Sequence, residues 1–174
     1  IGRKKEQKEL EQIYNSNKAE FVVVYGRRRV GKTYLVREYF QDRLDFYHTA
    51  LSPIELEDEN LVEKQLQAFY HSLKRYGADV EKKPEDWFEA FEMFITLLES
   101  KGKDKRLVVF IDELPWMDTP RSGFITAFEH FWNGWAAGQR HIMLIVCGSA
   151  TSWISDKLLQ NKGGLYGRTT YEMH

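Results

Sequence analysis

Gly26, Gly31, Lys32 and Thr33 stand in the spacing G-x-x-x-x-G-K-T, directly after the apolar run Val22-Val23-Val24-Tyr25. Glycines at those positions let a loop lay its N–H groups against a β-phosphate, a lysine reaches the β/γ oxygens, and a threonine hydroxyl offers a ligand to Mg²⁺. Arg27, Arg28, Arg29 and Val30 fill the loop; its backbone does the binding on this reading, although the three arginines could also touch phosphate. Tyr34 opens the helix expected to run to about Phe40, whose positive end adds to the same anion site. An ordinary strand-turn-helix is the alternative, and the strand before and helix after favour a nucleoside triphosphate site.

A second set closes another apolar run. Phe110-Ile111-Asp112-Glu113 ends a strand with two carboxylates, and a buried strand avoids unpartnered charge. Asp112 is suited to hold Mg²⁺ through its water shell, and Glu113 to orient and polarise an attacking water. A solvated acidic turn is the plain alternative; with the phosphate loop upstream, the catalytic reading gains. A kinase must exclude water whereas a hydrolase must activate it, so the Asp-Glu pair favours hydrolysis. Ser149, in Gly148-Ser149-Ala150-Thr151 after a third apolar run, either senses the γ-phosphate or caps the helix that follows.

These residues need a parallel sheet to bring them together. Phe21 to Tyr25, Asp45 to Ala50, Leu107 to Ile111, Ile142 to Cys147 and Thr169 to Met173 read as strands. Helices are expected from Arg3 to about Asn15, and along two aromatic stripes: Val62, Leu66, Phe69, Tyr70, Leu73, and Trp87, Phe88, Phe91, Phe94, Ile95, Leu98. Tyr76-Gly77 closes the first of these two, and Pro84 is expected near the first turn of the second. Thr119-Pro120 is expected to cap a helix carrying Phe124 to Trp135 that ends at Gly138, and Ser152 to about Leu159 a short one before a Gly163-Gly164 turn. Alternating strands and helices predict an α/β doubly wound parallel sheet of about five strands, flanked by helices, with ligands at the strand C-termini. The strand Ile142 to Cys147 is expected to insert between those carrying the two phosphate-site motifs.

Composition sets limits on partners. A formal net charge of -1 gives no global attraction to nucleic acid, so DNA is possible but not indicated by charge. The basic stretch Lys101 to Arg106 reads as a solvated face before a phosphate contact. The five histidines, His48, His71, His130, His141 and His174, lack metal-ligand spacing, and one cysteine, Cys147, gives no disulfide framework and fits a reducing, cytoplasmic setting. Cys147 itself reads as a packed small residue. The aromatic stripes read as core, since they recur at helical period without interleaved basic residues. No run spans a bilayer. A first residue other than methionine and a last strand at the terminus suggest a piece of a longer protein.

Taken together, Gly2-Arg3, GRRRVGKT, VVFIDE, CGSATS and LYGRTTYEM resemble the archaeal-type ATPases of the STAND/AAA+ branch of P-loop NTPases, over essentially the whole chain. The resemblance implies ATP as nucleotide, Mg²⁺ as cofactor, Gly2 and Arg3 near the adenine pocket, and Arg168 as an arginine finger, supplied to a neighbouring subunit in a self-associated state. A surface arginine is the alternative for Arg168. It also implies that residues 1–174 are a single ATPase core followed by a helical lid and a winged-helix region, and that turnover drives a partner or effector domain. A nucleotide-dependent scaffold with little hydrolysis is the second reading, and a small-molecule kinase the weaker third.

Overall fold

The structure, a computed structural model, describes residues 4–26, 31–54, 56, 59–159 and 171–173. Its strands are β1 (Glu20–Tyr25), β2 (Leu44–Thr49), β3 (Leu107–Asp112), β4 (Ile142–Gly148) and β5 (Tyr171–Met173). Its helices are α1 (Lys4–Tyr14), α2 (Lys32–Phe40), α3 (Leu61–Arg75), α4 (Trp87–Ser100), α5 (Phe124–Gly134) and the short α6 (Thr151–Ile154), which runs into a π-turn segment, Ser155–Leu159. The five strands form one parallel sheet in the order β2-β3-β4-β1-β5. The expected insertion is present: Ile145 of β4 is in register with Val22 of β1 on one side and Phe110 of β3 on the other.

Alternate residues along each strand face opposite layers, which explains why β3 is apolar up to Asp112 and β4 up to Gly148, both buried at every position. Val22, Val24, Val108, Phe110, Met143 and Ile145 pack with Leu10 and Ile13 of α1 and Leu35, Val36 and Phe40 of α2. On the other face, Phe21, Val23, Val109, Ile111, Leu144 and Val146 pack with the aromatic layer of α3 to α5. Stacked pairs such as Phe91–Phe131, centroids 5.1 Å apart, and Phe94–Phe131 at 5.3 Å hold α4 against α5. The stripes are therefore core, with one correction: Phe88 is 45% exposed, because it lies on the rim of the stripe, away from the sheet.

Pro84 stands two residues before Asp86, which caps α4, its side chain accepting from the Glu89 N–H at 2.8 Å. The start of α5 differs from expectation. Thr119-Pro120 does not cap α5. That helix begins after Gly123 in a left-handed conformation (φ 70°), the Ser122 hydroxyl accepts from the Phe124 N–H at 3.1 Å, and the helix ends at Gly134, before a separate 3-10 turn at Ala136–Gly138. The Gly163-Gly164 turn lies outside the described residues.

The basic stretch before β3 is structural. The Arg106 guanidinium donates to the carbonyls of Lys18 and Arg140, each at 2.7 Å, and of Ile13 at 2.8 Å, tying α1 and the entries to β1 and β4 to the start of β3. Lys105 pairs with Asp45, whose other oxygen accepts from the Val108 N–H at 2.8 Å, and Lys101 donates to the Tyr76 carbonyl at 3.0 Å. Arg106 and Lys105 thus lie at the strand-entry edge of the sheet, while Lys101 joins the C-terminal ends of α3 and α4.

Candidate nucleotide-binding site

The site lies where β1, β3 and β4 end on the same side of the sheet. Past β1, Gly31 sits at φ 79°, a left-handed conformation that glycine adopts without steric cost, and it begins α2 with no side-chain cap. The first N–H groups of α2 therefore have no side-chain acceptor at the cap position, which suits them to an anion. Lys32 is buried, and its ammonium donates to the Gly26 carbonyl at 3.1 Å, so it reaches back from the start of α2 to the end of β1.

Across the sheet, the Thr33 hydroxyl donates to Asp112 Oδ2 at 2.6 Å, joining motifs that lie 79 residues apart in the chain. The other oxygen of Asp112 accepts from the Glu113 N–H at 2.9 Å. Asp112 is buried, with its carboxylate fixed at both oxygens. Glu113 adopts φ 55° and ψ 43°, a left-handed conformation that costs a non-glycine residue about 1–2 kcal/mol. The 3-10 turn Leu114–Met117 maintains it, closing with the Trp116 N–H on the Glu113 carbonyl at 3.0 Å. From the end of β4, the Ser149 N–H donates to Glu113 Oε1 at 3.1 Å, and the Ser149 hydroxyl lies 3.4 Å from each carboxylate oxygen. Ser149 is thus turned to Glu113.

Gly31, Lys32, Thr33, Tyr34, Asp112, Glu113 and Ser149 line one cavity of about 700 Å³. A neighbouring cavity of about 840 Å³ shares Thr33 and Tyr34 with it and runs between α2 and the edge strand β2, where the Arg37 guanidinium lies 5.2 Å from the Tyr47 ring centroid. Burial and the nearby Asp112 carboxylate raise the Tyr47 hydroxyl above its ordinary pKa. Cys147 is packed; burial first, then Asp112, pushes its thiol far above the ordinary range, so it is no nucleophile at neutral pH. Gly2, Arg3, Arg27, Arg28, Arg29, Val30 and Arg168 lie outside the described residues.

Two residues that the motifs did not point to support the Glu113 turn. Gln65 of α3 is fully buried; its amide donates to the Leu51 carbonyl at 2.8 Å and the Trp116 carbonyl at 3.2 Å, and its oxygen accepts from the Leu51 N–H at 3.1 Å. It ties the loop after β2 to the turn after Glu113. Gly148 allows close approach: a Cβ there would meet the Pro115 ring at 2.7 Å. A polar residue inside an apolar helical stripe was the available signal for Gln65; Gly148 carried none beyond its place at a strand end. On the far side of the turn, the Trp153 indole N–H donates to Asp118 at 2.8 Å.

The donor set fits a Mg–nucleotide. A hydroxyl and a carboxylate meet at 2.6 Å beside an uncapped helix start and a buried ammonium, while among the described residues no group of three or more histidine, cysteine or acidic side chains could cage a metal ion. Oxygen ligands, phosphates and water are what Mg²⁺ takes. No described helix is long and apolar enough to cross a membrane.

Comparison with known proteins agrees with this architecture. An uncharacterised protein of Methanocaldococcus jannaschii is 32% identical over 170 residues, covering 98% of this chain and 34% of its own length. An uncharacterised ATP-binding protein of the same organism is 44% identical over 43 residues, 25% of this chain and 73% of its own. Among solved structures, the Walker-type ATPase PABY2304 of Pyrococcus abyssi superposes with a TM-score of 0.59 at 21% identity, over 98% of this chain and 52% of that one. The chain spans about a third of the first relative and about half of the Pyrococcus protein. Residues 1–174 match throughout the family described as an ATPase domain predominantly from Archaea. The chain belongs to that family, and it is a P-loop ATPase domain.

Proposed function

We propose that this domain hydrolyses ATP with Mg²⁺ and serves as a molecular switch of the STAND/AAA+ kind, its turnover driving a partner or an effector region. The observation that carries this reading is Glu113, held by Ser149 in the same cavity as the Thr33–Asp112 pair. Lys32 would move from the Gly26 carbonyl to the β/γ oxygens, and Thr33 and Asp112 would hold the metal and its waters. Mg²⁺, when bound, would neutralise phosphate charge and fix the oxygens in place. Glu113 would orient a water and take its proton as the water oxygen bonds to the γ-phosphorus and the bond to the ADP oxygen breaks. Ser149 would keep the carboxylate in one orientation and report the γ-phosphate to α6.

Gly26, Gly31 and the intervening residues Arg27 to Val30 would cradle phosphate through their backbone, with Tyr34 at the mouth and Gly2-Arg3 near the adenine. Arg168 would act on the nucleotide of a neighbouring subunit, where a guanidinium offsets charge on the transition-state oxygens. A lid and winged-helix region would complete the protein, in the cytoplasm, where a free Cys147 is at home. Steady-state phosphate release, with and without Mg²⁺ and with and without DNA, tests the reading. Release no greater than that of Lys32→Ala would leave the second reading, a nucleotide-held scaffold.

A further inference from the structure

The helical layer remote from α1 and α2 carries a surface that ATP chemistry does not use. Between α4 and α5 runs an open groove of about 190 Å³, floored by Phe88, Phe91, Ile95, Ala127 and Phe131 and flanked by His130. Glu89 and Glu92 stand on its α4 rim. Phe88, at 45% exposure, is a large aromatic left to water in a layer where Trp87, Phe94, Phe124 and Phe128 are wholly buried. Neither the 14 residues of α4 nor the 11 of α5 include a lysine or an arginine, and the exposed charges of α4 are Glu89, Glu92 and Glu99.

We propose that this groove docks a basic amphipathic helix of another protein, which sets bulky apolar side chains on Phe88 and Ile95 and lysines or arginines over the glutamates. The sign of the surface decides between occupants. A second copy docking the same face would bring two rows of glutamate together, and like-charge juxtaposition opposes that interface. Anionic lipid and nucleic acid are repelled for the same reason. A cationic helix gains on both counts, burying the exposed aromatic and meeting the carboxylates, as in other helix-in-groove recognition. The groove admits few side chains, so the affinity is modest and falls with salt. This inference is independent of ATP hydrolysis.

The probe is a fluorescein-labelled synthetic peptide about four turns long, with leucines at i, i+3, i+4 and i+7 and lysines on the remaining face. A matched peptide carries glutamate for lysine. Fluorescence anisotropy with the protein is expected to show saturable, salt-sensitive binding of the lysine peptide and none of the glutamate peptide. Phe88→Ser and, separately, Glu92→Lys, both at exposed positions, are expected to weaken binding about tenfold with unchanged melting temperature. Absence of binding to the parent protein, equal binding of the two peptides, or undiminished binding by both variants would overturn the proposal. So would a dimer in sedimentation velocity that Phe88→Ser abolishes, since that assigns the face to a second copy.

Discussion

The Ser149 N–H donates to the Glu113 carboxylate at 3.1 Å although 36 residues separate the two, because β3 and β4 are neighbours and end together. The bond comes from the backbone, with the hydroxyl as a second, longer contact at 3.4 Å. Ser149→Ala keeps the first and loses the second. It is expected to lower ATP turnover several-fold, far less than a change at Glu113, and to leave ATP affinity unaltered. Loss of ATP binding in that variant would show that the hydroxyl serves the loop itself.

Lys32 neutralises phosphate charge at close range, so Lys32→Ala is expected to abolish thermal stabilisation by ATP–Mg²⁺. For the parent, ligand at about 100 times its dissociation constant adds roughly 2.7 kcal/mol, a shift easily read in a melting curve. An equal shift in the variant would remove Lys32 from the site.

Gln65 positions the turn that keeps Glu113 in its left-handed conformation. Gln65→Leu retains volume but leaves the carbonyls of Leu51 and Trp116 without their donor. The expected result is a kcat about tenfold lower with KM for ATP nearly unchanged, and a loss of about 1–3 kcal/mol in stability. A kcat equal to the parent's would separate Gln65 from the catalytic turn.

His48 sets an acid limit on stability. It is buried, its Nδ1 lies 2.7 Å from the Ser72 hydroxyl, and burial first, then the Arg75 charge, lowers its pKa from 6.5 to about 3. Below pH 6.5 the unfolded chain takes up a proton that the folded chain refuses. Stability contributed by neutral His48 is therefore complete above 6.5 and declines as pH falls toward 3, by up to about 1.4 kcal/mol per pH unit. Urea denaturation at pH 7 and pH 5, compared with His48→Asn, isolates this residue from the carboxylates: the parent is expected to lose more than the variant. Parallel losses would mean that His48 does not stay neutral in the fold.

Much of this was legible in the chain. The run Ile142 to Cys147 is apolar at every position, as a strand covered on both faces requires, which placed it centrally; its insertion between β1 and β3 was legible from the order and spacing of the two motifs. Asp112 and Thr33 were legible as partners because phosphate chemistry requires both. Phe88 was not distinguishable from Phe91 or Phe94, since helical period marks a stripe without saying where its buried edge falls. Arg106 looked like a solvated cation because its acceptors, the carbonyls of Ile13, Lys18 and Arg140, belong to segments that only the sheet brings together. Gln65 escaped for the same reason: Leu51 and Trp116 are 14 and 51 residues from it. The caps of α4 and α5 depended on backbone angles at Asp86 and Gly123 that residue type alone does not fix.

Glu113→Gln is the most direct test of the account. The substitution keeps shape and can still meet the Ser149 N–H through its amide oxygen, but it removes the charge that polarises water. ATP affinity, measured by calorimetry in the presence of Mg²⁺, is expected to match the parent, while single-turnover phosphate release falls by about two to four orders of magnitude. Phosphate release at the parental rate, from a variant that binds ATP normally, would contradict the assignment of Glu113 as the catalytic carboxylate.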